Sequence, residues 1–292
     1  MRILILGGDG MLGHQLRRSL GGKHDVHVTV RRPLAAYRGL DLPAEGVIDQ
    51  VDALEWHRLE QAVETTRPDA VVNCIGLIKQ RPDASSPVAS IRINSLLPHL
   101  LCDVCRQVGA RLIHFSTDCV FSGRRGGYRE TDVPDPVDLY GRTKLVGEVE
   151  QAPGLTLRMS IVGLQLAGRT SLVEWFLAQR GTIRGYRRAI YTGLTTLELA
   201  RLVERVLERH RDLSGIWHVA SAPISKYDLL VRLAGRLDRR DVEIVPDDDF
   251  VCDRSLRSDA FAAATGYQTP GWDEMLTELA QEIRERGRVR SA

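Results

Sequence analysis

The chain is expected to fold as an α/β protein, a doubly wound parallel sheet with a smaller C-terminal lobe. Three observations carry that expectation: short β-branched runs alternate with helical patterns through the first half, a glycine-rich turn follows the first run directly, and the alternation loosens beyond residue 162. Alternating strands and helices build a parallel sheet covered on both faces, and right-handed crossovers restrict its topology.

The opening run RILIL is apolar throughout, as a strand buried on both faces must be, and GGDGMLG breaks it before a helical pattern starts at Met11. DVHVTV and VIDQV read as the next strands, residues 56–66 as a helix, and DAVVNCI as a strand. A long helix follows Pro87, a residue suited to a first helical turn, then the strand ARLIHFS, the helix bearing YGRTK and the strand LTLRMSIV. Farther on come SLVEWFLAQ, a connection rich in Gly and Arg, the helix TLELARLVERVLERH, the strand GIWHVA and the helix KYDLLVRLAGRL. These patterns assign residues 1–161 to a dinucleotide-binding domain and 162–292 to a smaller substrate-binding lobe, with chain exchange between the lobes allowed. No linker rich in Pro, Gly or Ser parts them, so they should pack closely around a cleft. The charged tail ERGRVRSA is expected to fray.

Composition narrows the function. A chain of 292 residues, 43% of them hydrophobic, can bury a substantial core. The net charge is +2, and the strongest basic runs, Arg31-Arg32 and Arg187-Arg188, are dipeptides rather than a stripe, which argues against nucleic acid. No apolar stretch approaches the ~20 residues that cross a bilayer, and MRILILGG leads into a structured motif instead of a cleavage site, so a cytoplasmic protein without membrane contact is expected. Five cysteines do not suggest a disulfide framework. Cys102 and Cys105 have C-x-x-C spacing but sit mid-helix without a second ligand pair; they read as buried packing, and no metal is assigned. His114 and His218 fall in strand patterns and read as packed.

The glycine turn fits two registers, Gly8-x-Gly10-x-x-Gly13 and Gly7-x-x-Gly10-x-x-Gly13, and both follow a strand and open a helix. Such a turn lets the backbone approach a pyrophosphate while the helix N-terminus, here Met11 and Leu12, supplies N–H groups and positive potential. A Rossmann domain holding a dinucleotide through Gly7, Gly10, Met11, Leu12 and Gly13 is the reading. An NAD-selective site usually offers an acid at the end of the second strand, where this chain has Arg31 and Arg32. Either they receive a 2′-phosphate or they are solvated loop residues; NADPH is favoured, with NADH the alternative. Asp52 and Ala53, after the third strand, are placed near the adenine, and Cys74, Ile75 and Gly76, after the fourth, near the nicotinamide ribose.

Tyr140 and Lys144 in YGRTK stand four residues apart, so the phenol and the amine share one helix face. A nearby lysine cation would lower the phenol's pKa from about 10 towards the working pH. A bare Y-x-x-x-K is commonly an exposed helix pair; here Ser116, Thr117 and Asp118 precede it and the glycine turn opens the chain.

Together, GGDGMLG, STDCVFSG, YRETDVPDPVDLYGRTKLVGE and LRMSIVG resemble the dTDP-4-dehydrorhamnose reductases of the extended short-chain dehydrogenase superfamily. CIGLIKQ and GIWHVASAPISKYDLL are similar to a subgroup attached to bacterial surface-polysaccharide pathways, where the donor can be UDP-linked and acetamido-substituted. The resemblance implies reduction of the C4 ketone of a nucleotide-linked 4-keto-6-deoxyhexose. In it Thr117 binds the substrate carbonyl, Tyr140 delivers the proton, and Lys144 holds the nicotinamide ribose and lowers the phenol pKa. It also implies substrate contacts from Asp118, Cys119, the region of Ser160 to Trp175, and Arg254, although a single arginine is often just a surface residue. Trp175 and Trp217 read more readily as core than as base-stacking platforms. Family members commonly carry tyrosine where this chain has Cys119, which either widens the pocket or is a neutral packing swap. A homodimer is the assembly left open. Two rivals remain: an epimerase or dehydratase with tightly held NAD, and a non-enzymatic regulatory protein, as the regulatory subunit of methionine adenosyltransferases is similar to these reductases.

Overall fold

The computed structural model describes residues 1–79, 85–168 and 170–291. Gln80, the last residue of CIGLIKQ, and Ala292 lie outside them. In order the elements are β1 (Arg2–Leu6), α1 (Met11–Leu20), β2 (Asp25–Thr29), β3 (Val47–Ile48), α2 (Trp56–Thr66), β4 (Ala70–Asn73), α3 (Pro87–Ser90), α4 (Leu97–Val108), β5 (Arg111–Phe115), α5 (Leu139–Val146) and β6 (Gly154–Arg158). A π-helical segment, Ile91–Leu96, joins α3 to α4, so the expected long helix is present but widened in its middle. Then follow β7 (Ile161–Val162), α6 (Leu172–Ala178), β8 (Gly181–Tyr186), β9 (Ala189–Tyr191), β10 (Leu194–Thr195), α7 (Thr196–Arg209) and β11 (Gly215–His218). The last are β12 (Ile224–Ser225), α8 (Lys226–Leu237), β13 (Val242–Asp247), β14 (Cys252–Asp253), α9 (Asp259–Thr265) and α10 (Trp272–Ser291).

Seven strands form one parallel sheet in the order β11-β6-β5-β4-β1-β2-β3. Chain direction across the sheet reverses between β1 and β4, and ligands of such sheets bind in the crevice beyond the strand ends at that switch. The alternation of side chains in β1 shows why the run had to be apolar. Ile3 and Ile5 join the core with Leu12 and Leu16 of α1, whereas Leu4 and Leu6 join Leu59, Val63 and Leu101 from α2 and α4 on the opposite face. Cys102 and Cys105 are buried in that second layer, as their apolar reading required.

The structure departs from the sequence reading in three places. GIWHVA was expected within the smaller lobe; its β11 instead extends the main sheet by pairing with β6, so the chain returns to the first lobe after residue 162. VIDQV contributes only a two-residue strand. The tail, expected to fray, is helical in α10 as far as Ser291, and Arg286 within it pairs with Glu174 of α6. The smaller lobe is built from β13-β8 and β12-β9-β14.

A buried ion pair underlies the site. Glu148 accepts from Arg158 Nε at 2.8 Å and Nη2 at 2.7 Å, and from Ser116 Oγ at 2.6 Å. Arg158 Nη1 lies 3.3 Å from His218 Nε2, and the other ring nitrogen of His218 meets the Tyr128 carbonyl at 3.2 Å. Burial, followed by the Arg158 charge, pushes the imidazole pKa down to about 4, so His218 is neutral and its Nε2 accepts. Removing one partner of a buried pair strands the other charge, at a cost of about 3 to 5 kcal/mol. Glu148→Gln is therefore expected to lower the urea unfolding midpoint by an amount corresponding to that loss, with an unchanged slope; an unaltered midpoint would remove the pair from this role.

Candidate functional site

The site lies at the switch point, where the loops after β1, β4 and β5 meet. Gly7 adopts φ +80°, Gly8 N donates to the Thr29 carbonyl at 2.8 Å, and Gly10 caps α1 with no side-chain partner for its first N–H groups. A Cβ on Gly13 would stand 2.1 Å from the Gly7 carbonyl oxygen, so strand and helix touch through that position. One on Gly7 would meet Ile75 at 3.1 Å, which brings the loop bearing Cys74, Ile75 and Gly76 against the turn. Asn73 Oδ1 accepts from Ile75 N at 3.1 Å and holds that loop.

Beyond β2, Arg31 and Arg32 are exposed, and the Arg32 guanidinium lies 4.9 Å over the Tyr37 ring. Tyr37 Oη donates to Asp9 Oδ2 at 2.7 Å and accepts from Arg32 N at 3.2 Å, tying the arginine pair to the glycine turn. Val51 N bonds the Val30 carbonyl, which sets Asp52 and Ala53 beside the same strand end. An uncapped helix end, a backbone without side chains and a buttressed arginine together suit a phosphorylated dinucleotide.

Helix α5 carries Tyr140 and Lys144, and three contacts clamp it. A Cβ on Gly141 would lie 2.2 Å from the Cys119 carbonyl oxygen, and one on Gly147 1.9 Å from that of Asn94. Between them Ser95 Oγ donates to the Thr143 carbonyl at 2.8 Å. Asp138 caps the N-terminus by accepting from Gly141 N at 2.8 Å, and it pairs with Lys79.

Lys144 is buried, and its Nζ donates to the Phe115 carbonyl at 2.6 Å with His114 Nε2 at 3.2 Å. Burial lowers the amine's pKa to about 8, with Glu148 opposing. Burial, then the Lys144 charge, also holds His114 well below the usual imidazole range. Asn73 Nδ2 meets His114 Nδ1 at 3.1 Å, so the line Asn73–His114–Lys144 is continuous. His114 is packed, as expected, and it is packed against the Lys144 amine.

The phenol does not behave as expected. Desolvation, then the neighbouring Cys119, raises the Tyr140 pKa above the ordinary phenol value; a hydrogen bond from Thr117 opposes this. The expected depression by Lys144 is thus corrected, because the amine points at β5 rather than at the phenol oxygen. Lys79 Nζ lies 5.5 Å from the Tyr140 ring centre and 3.7 Å from Cys119 Sγ. Burial likewise pushes the Cys119 thiol up to about 11.

The remaining sequence candidates separate into two groups. Thr117 Oγ1 lies 3.2 Å from Asp118 Oδ1 and accepts from Cys119 N at 3.1 Å, and Ser160 Oγ donates to Asp118 Oδ2. Arg254 Nε donates to the Phe121 carbonyl at 2.9 Å, which carries β14 of the smaller lobe over this loop. These residues converge with Tyr140. Trp175 is 38% exposed on α6, and its backbone hydrogen bonds stay within that helix and its cap. Lys79, His114 and Asp138 were missed. Asp138 carried a legible signal, an acid directly before a helix, whereas nothing local marked the other two.

A family profile described as RmlD substrate binding domain matches residues 1–285. A probable low-salt glycan biosynthesis reductase, Agl14, of Haloferax volcanii is 28% identical over 76% of this chain and 75% of its own length. Methionine adenosyltransferase 2 subunit beta of Bos taurus is 32% identical over 50% of this chain and 41% of its own length. The dTDP-4-dehydrorhamnose reductase of Burkholderia thailandensis is 33% identical over 52% and 46%. The chain thus spans under half the length of these last two relatives. The crystal structure of dTDP-4-dehydrorhamnose reductase from Bacillus anthracis in complex with NADP superposes with a TM-score of 0.78 at 21% identity, covering 96% of this chain and 99% of that one, and it shares the fold.

Proposed function

The chain belongs to the RmlD substrate binding domain family, and we propose that it is an NADPH-dependent reductase of the C4 ketone in a nucleotide-linked 4-keto-6-deoxyhexose. The observation that supports this reading is that Thr117 hydrogen-bonds the Tyr140 phenol, while Lys144, one turn along the same helix, is tied through His114 and Asn73 to the loop that packs on the glycine turn. NADH is the alternative cofactor, and a UDP-linked acetamido sugar is the alternative to a dTDP-linked donor. Gly7, Gly10, Gly13 and the N-terminus of α1 would hold the pyrophosphate, Arg31 and Arg32 the 2′-phosphate, and Lys144 the nicotinamide ribose. When bound, the reduced nicotinamide supplies hydride.

The chain's own part is acid catalysis and charge stabilisation. Reducing a ketone develops negative charge on its oxygen, and the hydroxyls of Thr117 and Tyr140 are two donors already held for that charge. A phenol kept neutral by burial retains its proton until the substrate oxygen becomes more basic than a phenolate. Lys79 and Arg254 add positive charge at the cleft suited to a diphosphate.

The match to a methionine adenosyltransferase β subunit supports a second reading, a regulatory protein that keeps the cofactor fold. One assay separates the two. Protein, NADPH and a panel of dTDP- and UDP-linked 4-keto-6-deoxysugars should show loss of nicotinamide absorbance, and Tyr140→Phe should retain NADPH affinity while losing turnover by roughly two orders of magnitude or more. No consumption with any donor would overturn the reductase reading, and full turnover in the variant would remove Tyr140 from its role.

Two further readings accompany it. A cytoplasmic location fits the five cysteines, none of which is bridged. Among the described residues no helix is long and apolar enough to cross a membrane. A homodimer fits the apolar side chains exposed along the helix leading into α4 and at the end of α5: Val88, Ile91, Leu96 and Val146 are 49 to 67% exposed. Light scattering should give a mass of about twice 32.6 kDa, falling to a single chain in an Ile91→Glu, Leu96→Glu variant. A monomeric parent protein would contradict this.

A further inference from the structure

We propose that His24, Glu204 and Glu208 form a binding site for a divalent transition-metal cation, zinc by the chemistry of the ligands, on the face of the first lobe remote from the reductase residues. His24 lies in the turn between α1 and β2, and Glu204 and Glu208 stand one helical turn apart on α7, which packs against α1. Their ligand atoms all fall within 4.8 Å of one another.

The imidazole is what points to a ligand. The His24 side chain is only 6% exposed, and its Nε2, sealed from solvent, has no hydrogen-bond partner. A buried ring nitrogen left unpaired is costly, and native structures rarely tolerate one without a role. This nitrogen faces Glu204 Oε1 at 3.8 Å and Glu208 Oε1 at 3.7 Å, too far for hydrogen bonds. Those spacings suit a shared cation instead. Zinc binds histidine nitrogen at ~2.0–2.1 Å and carboxylate oxygen at ~2.0–2.2 Å, so two ligands on one ion stand roughly 3.3 to 4 Å apart. One imidazole and two carboxylates also favour zinc or its neighbours over magnesium or calcium, which prefer all-oxygen sites. Glu208, the most exposed of the three, leaves a side open to water.

Lys23 is the built-in competitor. Its Nζ stands 2.8 Å from Glu204 Oε1 on a side chain that is 66% exposed. The flexible ammonium can swing into solvent when a cation takes the carboxylate. Arg205 and Arg209 line the adjoining cleft and temper the attraction for any cation. A bound ion would join the turn after α1 to α7 and brace the unit behind the glycine turn. Sequence spacing could not show this, because His24 and Glu204 are far apart in the chain and neither sits in a ligand motif.

The test uses the full chain without a polyhistidine tag, stripped with chelator and titrated with Co²⁺ and then Zn²⁺. Calorimetry should show one saturable site per chain, Co²⁺ should develop visible absorption bands that Zn²⁺ abolishes, and Zn²⁺ should raise the melting temperature. His24→Ala and Glu208→Gln should each weaken binding at least tenfold, the latter at a half-exposed position where folding is not at stake. Lys23→Ala should tighten it several-fold by removing the competitor. Absence of a saturable site would overturn the proposal. So would binding that survives both ligand substitutions, or a Lys23→Ala variant that binds more weakly.

Discussion

The structure turns on how tightly α5 is held. Its two glycines approach the carbonyls of Cys119 and Asn94 so closely that no side chain fits at either end, and between them the Lys144 amine is anchored to the Phe115 carbonyl. A helix fixed at both ends and in the middle cannot rotate, so Tyr140 has one direction in which to face. There it meets the loop after β5, where Thr117 hydrogen-bonds the phenol and Cys119 and Asp118 lie close by. Positioning of this kind lets hydroxyl donors act on developing charge without reorganising during the reaction.

Burial does most of the electrostatic work around that helix. It lowers the Lys144 amine to about 8, keeps His114 neutral and holds the phenol protonated. Asn73 links this cluster to the cofactor loop, because one amide serves both Ile75 N and His114. The glycine turn and the buried Lys144 are thus linked through a single side chain, Asn73, at the end of β4. On the other flank, Glu148 and Arg158 support Ser116, the neighbour of Thr117, from beneath.

Much of this was legible from residue order alone. RILIL before GGDGMLG predicted the strand, the glycine turn and the helix that opens at Met11, and YGRTK the helix that carries Tyr140 and Lys144, because these depend on local spacing. The interactions that set the chemistry were not local. Whether Lys144 faces the phenol or β5 depends on His114 and Phe115, some thirty residues earlier. GIWHVA could not be assigned to a sheet from its own pattern, since a short apolar strand pairs wherever an edge is free, here beside β6. The tail looked frayed because charge dominates its composition, yet the Arg286–Glu174 pair ties the end of α10 to α6.

The chain contains only four lysines, Lys23, Lys79, Lys144 and Lys226, which makes the central claim open to direct observation. Labelling the lysine side chains with ¹³C and following each ε-carbon resonance by NMR between pH 6 and about 11.5 would report every amine separately, with Lys144→Arg identifying the buried one. The account requires one resonance to titrate near 8 and to vanish in that variant, because burial against β5 disfavours the charge. Four resonances all titrating above about 10 would show that Lys144 is solvated, and the clamped helix described above would not exist in solution.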